Sequence, residues 1–176
     1  RGEWQFKNAA SAITAIKSLG LKMDPTQLHN GLINVQINRR LQLMHQSPDV
    51  YFDVSHNAQA AKCLSSWMDQ NPIQGKTFAV FAVLADKDPF QWLSFFKENI
   101  DVWCISQVDS DRALNTNELL KYLANDSKLI LSFESISQAY SKALLLAESI
   151  DRVFVFGSFY TVSEVIESAK FDRLNS

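Results

Sequence analysis

The period of the apolar positions changes several times along the chain, and each change marks an element. In residues 8–19, Ala9, Ala12, Ile13, Ile16 and Leu19 fall on one helical stripe, and Gly20 is placed to stop it. Asp24 and Pro25 open a second short helix running to Leu32, with Asp24 as its cap and Pro25 in the first turn. No strand lies between these helices, so they read as an appendage to another body. From Leu41 the pattern alternates. Residues 41–46 and 50–54 read as an antiparallel pair turned at Ser47-Pro48-Asp49.

Beyond this pair, apolar runs and helical stripes take turns. Residues 77–84 form a continuous apolar run, the pattern of a strand covered on both faces, 101–106 and 128–133 read as strands, and 152–156 as the last buried strand. Between and after them, 57–69, 88–98, 115–124, 135–149 and 161–169 carry helical spacing. In 57–69 the stripe is Ala60, Cys63, Leu64, Trp67 and Met68, and in 88–98 it is Trp92, Leu93 and Phe96. Asn115 and Glu118 have capping-box spacing. The alternation predicts an α/β, Rossmann-like three-layer sandwich. Its sheet is mostly parallel and six-stranded, with one antiparallel edge strand, and a short helical segment precedes it. The expected organisation is a helical segment at 1–34 and an α/β domain at 35–176.

Composition narrows the function. The 176 residues carry 17 Lys+Arg and 19 Asp+Glu, a formal charge of −2, so no basic field points to nucleic acid. No apolar run reaches the ~20 residues that span a bilayer. Two cysteines make neither a disulfide framework nor a zinc site, and the expected compartment is the reducing cytoplasm. The histidines His29, His45 and His56 lack metal-ligand spacing, and no metal-ligating residue is expected here. Gly75-Lys76-Thr77 resembles the end of a P-loop, but position 70 is Gln and a strand rather than a helix follows, so Lys76 reads as a solvated residue at a strand entrance. The chain begins at Arg1 with no initiator methionine, which suggests a fragment.

In an open parallel sheet ligands bind at the carboxyl ends of strands, and three polar segments fall there. Asp53-Val54-Ser55-His56-Asn57 ends an apolar run. Burying Asp53 unpartnered would be costly, so Arg40 or a ligand hydroxyl is expected beside it, while Asn57 or Ser55 could equally cap a helix. In Asp86-Lys87-Asp88-Pro89, Lys87 could hold a carboxylate, but Asp88 as a helix cap before Pro89 is the better reading of that segment alone. In Gly157-Ser158-Phe159-Tyr160-Thr161, the glycine allows close backbone approach and a helix start favours an anion, although a tight turn accounts for the segment by itself. Arg39-Arg40 reads as a solvated pair whose guanidinium forks suit phosphate.

In order, Asn8-Ala9-Ala10-Ser11-Ala12, Arg40-Leu41-Gln42, Asp53-Val54-Ser55-His56-Asn57, Asp86-Lys87-Asp88 and Gly157-Ser158-Phe159-Tyr160-Thr161-Val162 resemble the C-terminal part of the folylpolyglutamate synthase/dihydrofolate synthase family, within the Mur ligase superfamily. Arg40 and Asp53, thirteen residues apart, carry its most specific part. The resemblance implies an ATP-dependent ligase that joins L-glutamate to dihydropteroate or a (tetrahydro)folate through an acyl phosphate. It implies ATP contacts from Asn8 (adenine), Arg40 (phosphate) and Asp53 (ribose), with His56 as the catalytic residue beside the phosphates. Lys87 and Ser158 would hold the glutamate carboxylate. It further implies Mg2+ held by a missing upstream P-loop domain, whose last helices would be residues 1–34, and a monomer inactive without that domain. A peptidoglycan-precursor ligase of the same superfamily and a non-catalytic Rossmann-like binding module are the alternatives. Two departures stand out. The family's P-G-R reads Asn38-Arg39-Arg40, and its D-V-A-H-N-P ends in Ala58.

Overall fold

The computed structural model describes residues 3–34, 40–124 and 128–174. The chain divides into two compact units, Arg1–Asn38 and Arg39–Ser176. The boundary expected at 34/35, and the Asn38-Arg39 pair, fall outside the described residues.

The first unit holds α1 (Glu3–Ser18) and α2 (Pro25–Asn34). Helix α1 ends where Gly20 adopts φ +69°, a left-handed stop that glycine takes without steric cost. Asp24 Oδ1 accepts a hydrogen bond from Thr26 N–H at the start of α2, as its capping position predicts. Ala9, Ala12, Ile13 and Ile16 line a groove of about 260 Å³ with residues of α2.

The second unit begins with an antiparallel pair, β1 (Gln42–His45) and β2 (Asp49–Phe52). After them come α3 (Ala58–Gln70), β3 (Thr77–Phe81), β4 (Val102–Ile105) and α4 (Thr116–Leu123). The chain continues through β5 (Leu129–Ser132), α5 (Ile136–Leu146), β6 (Arg152–Phe156) and α6 (Phe159–Leu174). The strand order is β1-β2-β6-β3-β4-β5, with every pair parallel except β1–β2. This is the expected α/β sheet with one antiparallel edge.

Period-two alternation divides the strand side chains between two cores. Val50, Phe52, Phe78, Val80, Val153 and Val155 face α5 and α6, meeting Ile136, Ala139, Val162 and Val165. Ala79, Phe81, Trp103, Phe154 and Phe156 face the other side, meeting Leu64 and Met68 of α3 and Leu119 of α4. Every residue of β3, β4 and β6 is buried, which explains their continuous apolar runs.

One expected helix is absent. Residues 88–98 form no α-helix; Ala85–Lys87, Pro89–Gln91 and Leu93–Phe96 are three successive 3-10 turns. Asp88 sits between the first two at φ +43° and makes no side-chain cap; its carboxylate instead accepts from Gln91 Nε2. A left-handed residue followed by Pro89 prevents the first turn from propagating as α-helix. The stripe itself is right: Trp92, Leu93 and Phe96 are buried, because tertiary packing needs the apolar face whatever the pitch. Among the described residues no helix is long and apolar enough to cross a membrane.

Candidate functional site

Topology selects one end of the sheet. After β2 the chain leaves toward α3, and after β3 toward the 3-10 turns, both on the Phe81 face. After β6 it leaves toward α6, on the opposite face. Because β6 lies between β2 and β3, adjacent strands send their connections to opposite faces on both sides of β6. That divergence opens a crevice at the carboxyl ends, the ligand-binding position of open α/β sheets. The polar segments after β2, β3 and β6 all emerge there. Gly75-Lys76-Thr77 lies at the opposite, amino end of β3, with Lys76 exposed.

Asp53 follows β2 directly, 5% exposed. Its backbone N–H donates to Val155 O of β6 (3.0 Å), which continues the ladder. Its carboxylate accepts at both oxygens: Oδ2 from Leu41 N–H (2.7 Å), and Oδ1 from Ser55 N–H (2.7 Å) and the Ser55 hydroxyl. Burial lifts its pKa above the ordinary carboxylate value, opposed by the Ser55 and Leu41 hydrogen bonds and by the Arg40 charge. The expected partner was Arg40 or a ligand. The structure gives the carboxylate to the peptide immediately after Arg40, and Arg40 contributes its field. Leu41 adopts φ +47°, a left-handed conformation uncommon for a leucine.

His56 is fixed by two contacts. Its Nδ1 lies 2.8 Å from Val54 O, which makes Nδ1 the hydrogen-bond donor and leaves Nε2 at the opposite edge of the ring. Its ring is 5.9 Å from that of Phe159, at the start of α6. Asn57 caps α3 by accepting from Ala60 N–H, the cap reading of that residue.

Gly157 seals the β6 side. Its N–H donates to Ser55 O, and it sits at φ +117°. A Cβ there would lie 2.4 Å from Ala82 O and 2.8 Å from the Phe81 ring. Ser158 is 3% exposed, and its hydroxyl lies 2.7 Å from Thr161 Oγ1 and accepts from Thr161 N–H. Thr161 Oγ1 donates to Ala82 O, tying the start of α6 to β3. Ser158 therefore acts from inside the turn, as the cap of α6.

Lys87 stands at the same rim after β3. Its Nζ is 3.9 Å from Asp86, which also pairs with the Arg112 guanidinium. The Lys87 carbonyl is anchored by the indole N–H of buried Trp92. Arg112 arrives there because Leu84 bridges Ala113 and Leu114 N–H donates to Val83 O. That pairing left no periodic signal in the sequence. Asn8 lies on α1 of the first unit, exposed. The second unit thus brings Arg40, Asp53, His56 and the Gly157 turn together, with Lys87 in a separate cluster on the same rim. Leu41, Phe159 and Arg112 are additions to the residues read from sequence. Cys104 is buried in β4, and burial pushes its thiol up to about 11, which disfavours the thiolate.

The chain has extensive similarity to known proteins. The dihydrofolate synthase/folylpolyglutamate synthase of Escherichia coli K12 is 35% identical over 160 residues, covering 91% of this chain and 37% of that protein. The protein of the same name from Buchnera aphidicola subsp. Acyrthosiphon pisum is 33% identical over 161 residues, covering 92% and 39%. Among solved structures, E. coli FolC in complex with DHPP and ADP aligns with a TM-score of 0.87 at 34% identity, over 94% of this chain and 39% of that one. A bifunctional folylpolyglutamate synthase/dihydrofolate synthase with Mn, AMPPNP and L-glutamate bound aligns at 0.85 and 30% identity, over 93% and 39%. The chain spans less than two-fifths of the length of these relatives. The model of the Mur ligase glutamate ligase domain matches residues 39–159, which carry the whole rim from Arg40 to the Gly157 turn, and the chain belongs to that family.

Proposed function

We propose that this chain supplies the glutamate ligase domain of an ATP-dependent amide ligase that adds L-glutamate to dihydropteroate or a folate, in the cytoplasm. In this reading residues 1–34 are the last helices of a central ATP-binding domain, and residues 35–176 form the C-terminal domain. The observation that carries the reading is the meeting of Arg40, Asp53 and His56 with the Gly157 turn at the crevice beside β6, in a chain of this family.

The residues present suit a nucleotide. The Arg40 guanidinium offers a planar fork to phosphate oxygens. With Nδ1–H locked on Val54 O, His56 Nε2 is placed to accept a proton and, once it carries that proton, to donate to a phosphate oxygen. The amino end of α3, capped by Asn57, adds a favourable dipole for an anion. Asp53, with both carboxylate oxygens already accepting from Leu41 and Ser55, serves the nucleotide through Arg40 rather than through a ribose hydroxyl. Asn8 is the candidate adenine contact. In the reaction, the acceptor carboxylate attacks the γ-phosphorus of ATP, giving an acyl phosphate and ADP. The glutamate amine then attacks the acyl carbon, an amide forms, and phosphate and a proton leave. Lys87 attracts the glutamate carboxylate, and Ser158 shapes the first turn of α6 against the same anion. Among the described residues no His/Cys/Asp/Glu trio is gathered for a metal ion, and in this reading the divalent ion, Mg2+, is held by the upstream P-loop domain.

The test is a chimera in which this chain replaces the corresponding residues of the E. coli relative. It should form ADP only when ATP, glutamate and a folate acceptor are all present, whereas the chain alone should not. In the chimera Lys87→Ala should raise the KM for glutamate about tenfold, the loss of one charge-assisted contact. Turnover by the chain alone, or a chimera preferring a UDP-linked peptide acceptor, would overturn the proposal.

A further inference from the structure

We propose that Asp53 is a positioning residue: its carboxylate clasps the Arg40–Leu41 turn, holding Leu41 in a left-handed conformation so that the Arg40 guanidinium faces the nucleotide crevice. That Arg40 acts on phosphate rests on the function proposed above; the clasp rests on the structure alone.

The geometry has three parts. Leu41 stands at φ +47°, where its Cβ crowds the backbone and where glycine would sit freely. Here the sequence reads Arg40-Leu41-Gln42, so the strained position carries a branched side chain. That side chain also packs against the Phe81-side core. Something must hold the turn against its own preference. The holding contact is the 2.7 Å hydrogen bond from Leu41 N–H to Asp53 Oδ2. The clasp is itself immobilised, because Oδ1 accepts both the Ser55 N–H and the Ser55 hydroxyl, and Asp53 N–H is bound to Val155 O. A carboxylate can receive donors on both oxygens, whereas an asparagine presents one acceptor and one donor group. Asp53→Asn therefore keeps the shape, yet must fail either the Leu41 N–H or the Ser55 pair.

The location adds a consequence. Leu41 immediately follows Arg40 and precedes β1, which pairs with β2 from Gln42 to Phe52. The turn is thus fixed on one side by the ladder and on the other by Asp53, and Arg40 is the residue held between the clasp and the preceding chain. Losing the clasp releases the backbone that aims the guanidinium while leaving the guanidinium intact. A direct ribose contact by Asp53 would behave differently, since no change at Leu41 could replace it.

Two measurements decide. Hydrogen exchange on the full 176-residue chain should show the Leu41 amide protected in wild type and at least tenfold faster in Asp53→Asn, with the Val80 and Val155 amides unchanged as a control for the fold. In the chimeric ligase, Asp53→Asn should raise the KM for ATP about tenfold with little change in kcat. The Asp53→Asn/Leu41→Gly double variant should return it to within about threefold of Leu41→Gly alone, because glycine adopts the turn without being held. Equal Leu41 exchange in wild type and Asp53→Asn would overturn the clasp. So would a raised KM that Leu41→Gly does not restore, which would leave Asp53 as a ligand contact only. If Arg40→Ala leaves the KM for ATP unchanged, it is the phosphate reading that fails, and the exchange experiment still judges the clasp.

Discussion

The strands beside β6 carry buried charge at both ends, and the two ends use it differently. At the amino end Asp151 and Arg152 are 7% and 5% exposed. Asp151 accepts from Lys76 N–H and Glu148 N–H, and Arg152 donates to Thr77 Oγ1 and Asn71 O and lies over the Phe154 ring. Burial pulls the Arg152 pKa down, yet the guanidinium remains charged, held by fixed oxygens and the aromatic face. Each charge there is spent joining β3 to β6. At the carboxyl end Asp53 is equally buried, but it is spent on a strained turn that carries another charge, Arg40. The same device, a buried ion satisfied by backbone groups, closes the fold at one end and aims side chains out of it at the other.

The largest effect should come from the backbone approach at each end. Gly157→Ala combines a left-handed φ with a Cβ 2.4 Å from Ala82 O, and should cost more than about 3 kcal/mol in chemical denaturation. Gly75→Ala would bring a Cβ within 2.4 Å of Asp151 Oδ1 and of Ile150 O, at no unusual φ, and should cost about 2 kcal/mol. A reversed order would mean that the carboxyl end adapts more readily than its packing implies.

Next is Arg152→Met, which keeps much of the volume but leaves Thr77 Oγ1 and Asn71 O without their donor. It should cost about 2 kcal/mol and leave nucleotide binding in the chimera untouched.

The pH dependence of Asp53 sharpens the contrast further. Its folded pKa is raised, so the folded chain holds a proton at pH values where the unfolded chain has shed it. The stability from that proton is complete below the ordinary carboxylate range and is lost as pH rises through the raised value. Denaturation at stepped pH should therefore show wild type losing stability relative to Asp53→Asn as pH climbs through that window, then a constant difference. Wild type gaining stability relative to Asp53→Asn as pH rises would contradict the raised pKa of the buried carboxyl. The smallest effect belongs to the exposed rim: Arg112→Gln should return the Asp86 pKa, now lowered chiefly by its hydrogen bond to Arg112, toward the ordinary value in an NMR titration, with little change in Tm.

Much of this was legible in the residues. Continuous apolar runs revealed the buried strands because both faces of β3, β4 and β6 are covered, and the Ser47-Pro48-Asp49 break located the β1–β2 turn. Asp24 and Asn57 announced helix starts because a capping oxygen acts within three residues. The failures lie where local pattern and tertiary demand part. The stripe of Trp92, Leu93 and Phe96 survives as buried residues while its helix does not, since Asp88 and Pro89 break the turn. In the site, residue types were readable and partners were not. Asp53 needed a partner, but only the three-dimensional path shows that it is Leu41 N–H. Phe159 and Arg112 meet His56 and Asp86 across more than twenty residues of intervening chain, which no spacing rule reports.

The most direct test of the carboxyl-end site is nucleotide titration calorimetry on the chimeric ligase with Arg40→Ala, beside Arg152→Met from the other end of the same strands. Loss of a charge-assisted phosphate contact should weaken ATP binding roughly 10- to 100-fold in Arg40→Ala and leave Arg152→Met at the wild-type Kd. Equal Kd values in the wild type and Arg40→Ala would contradict the account.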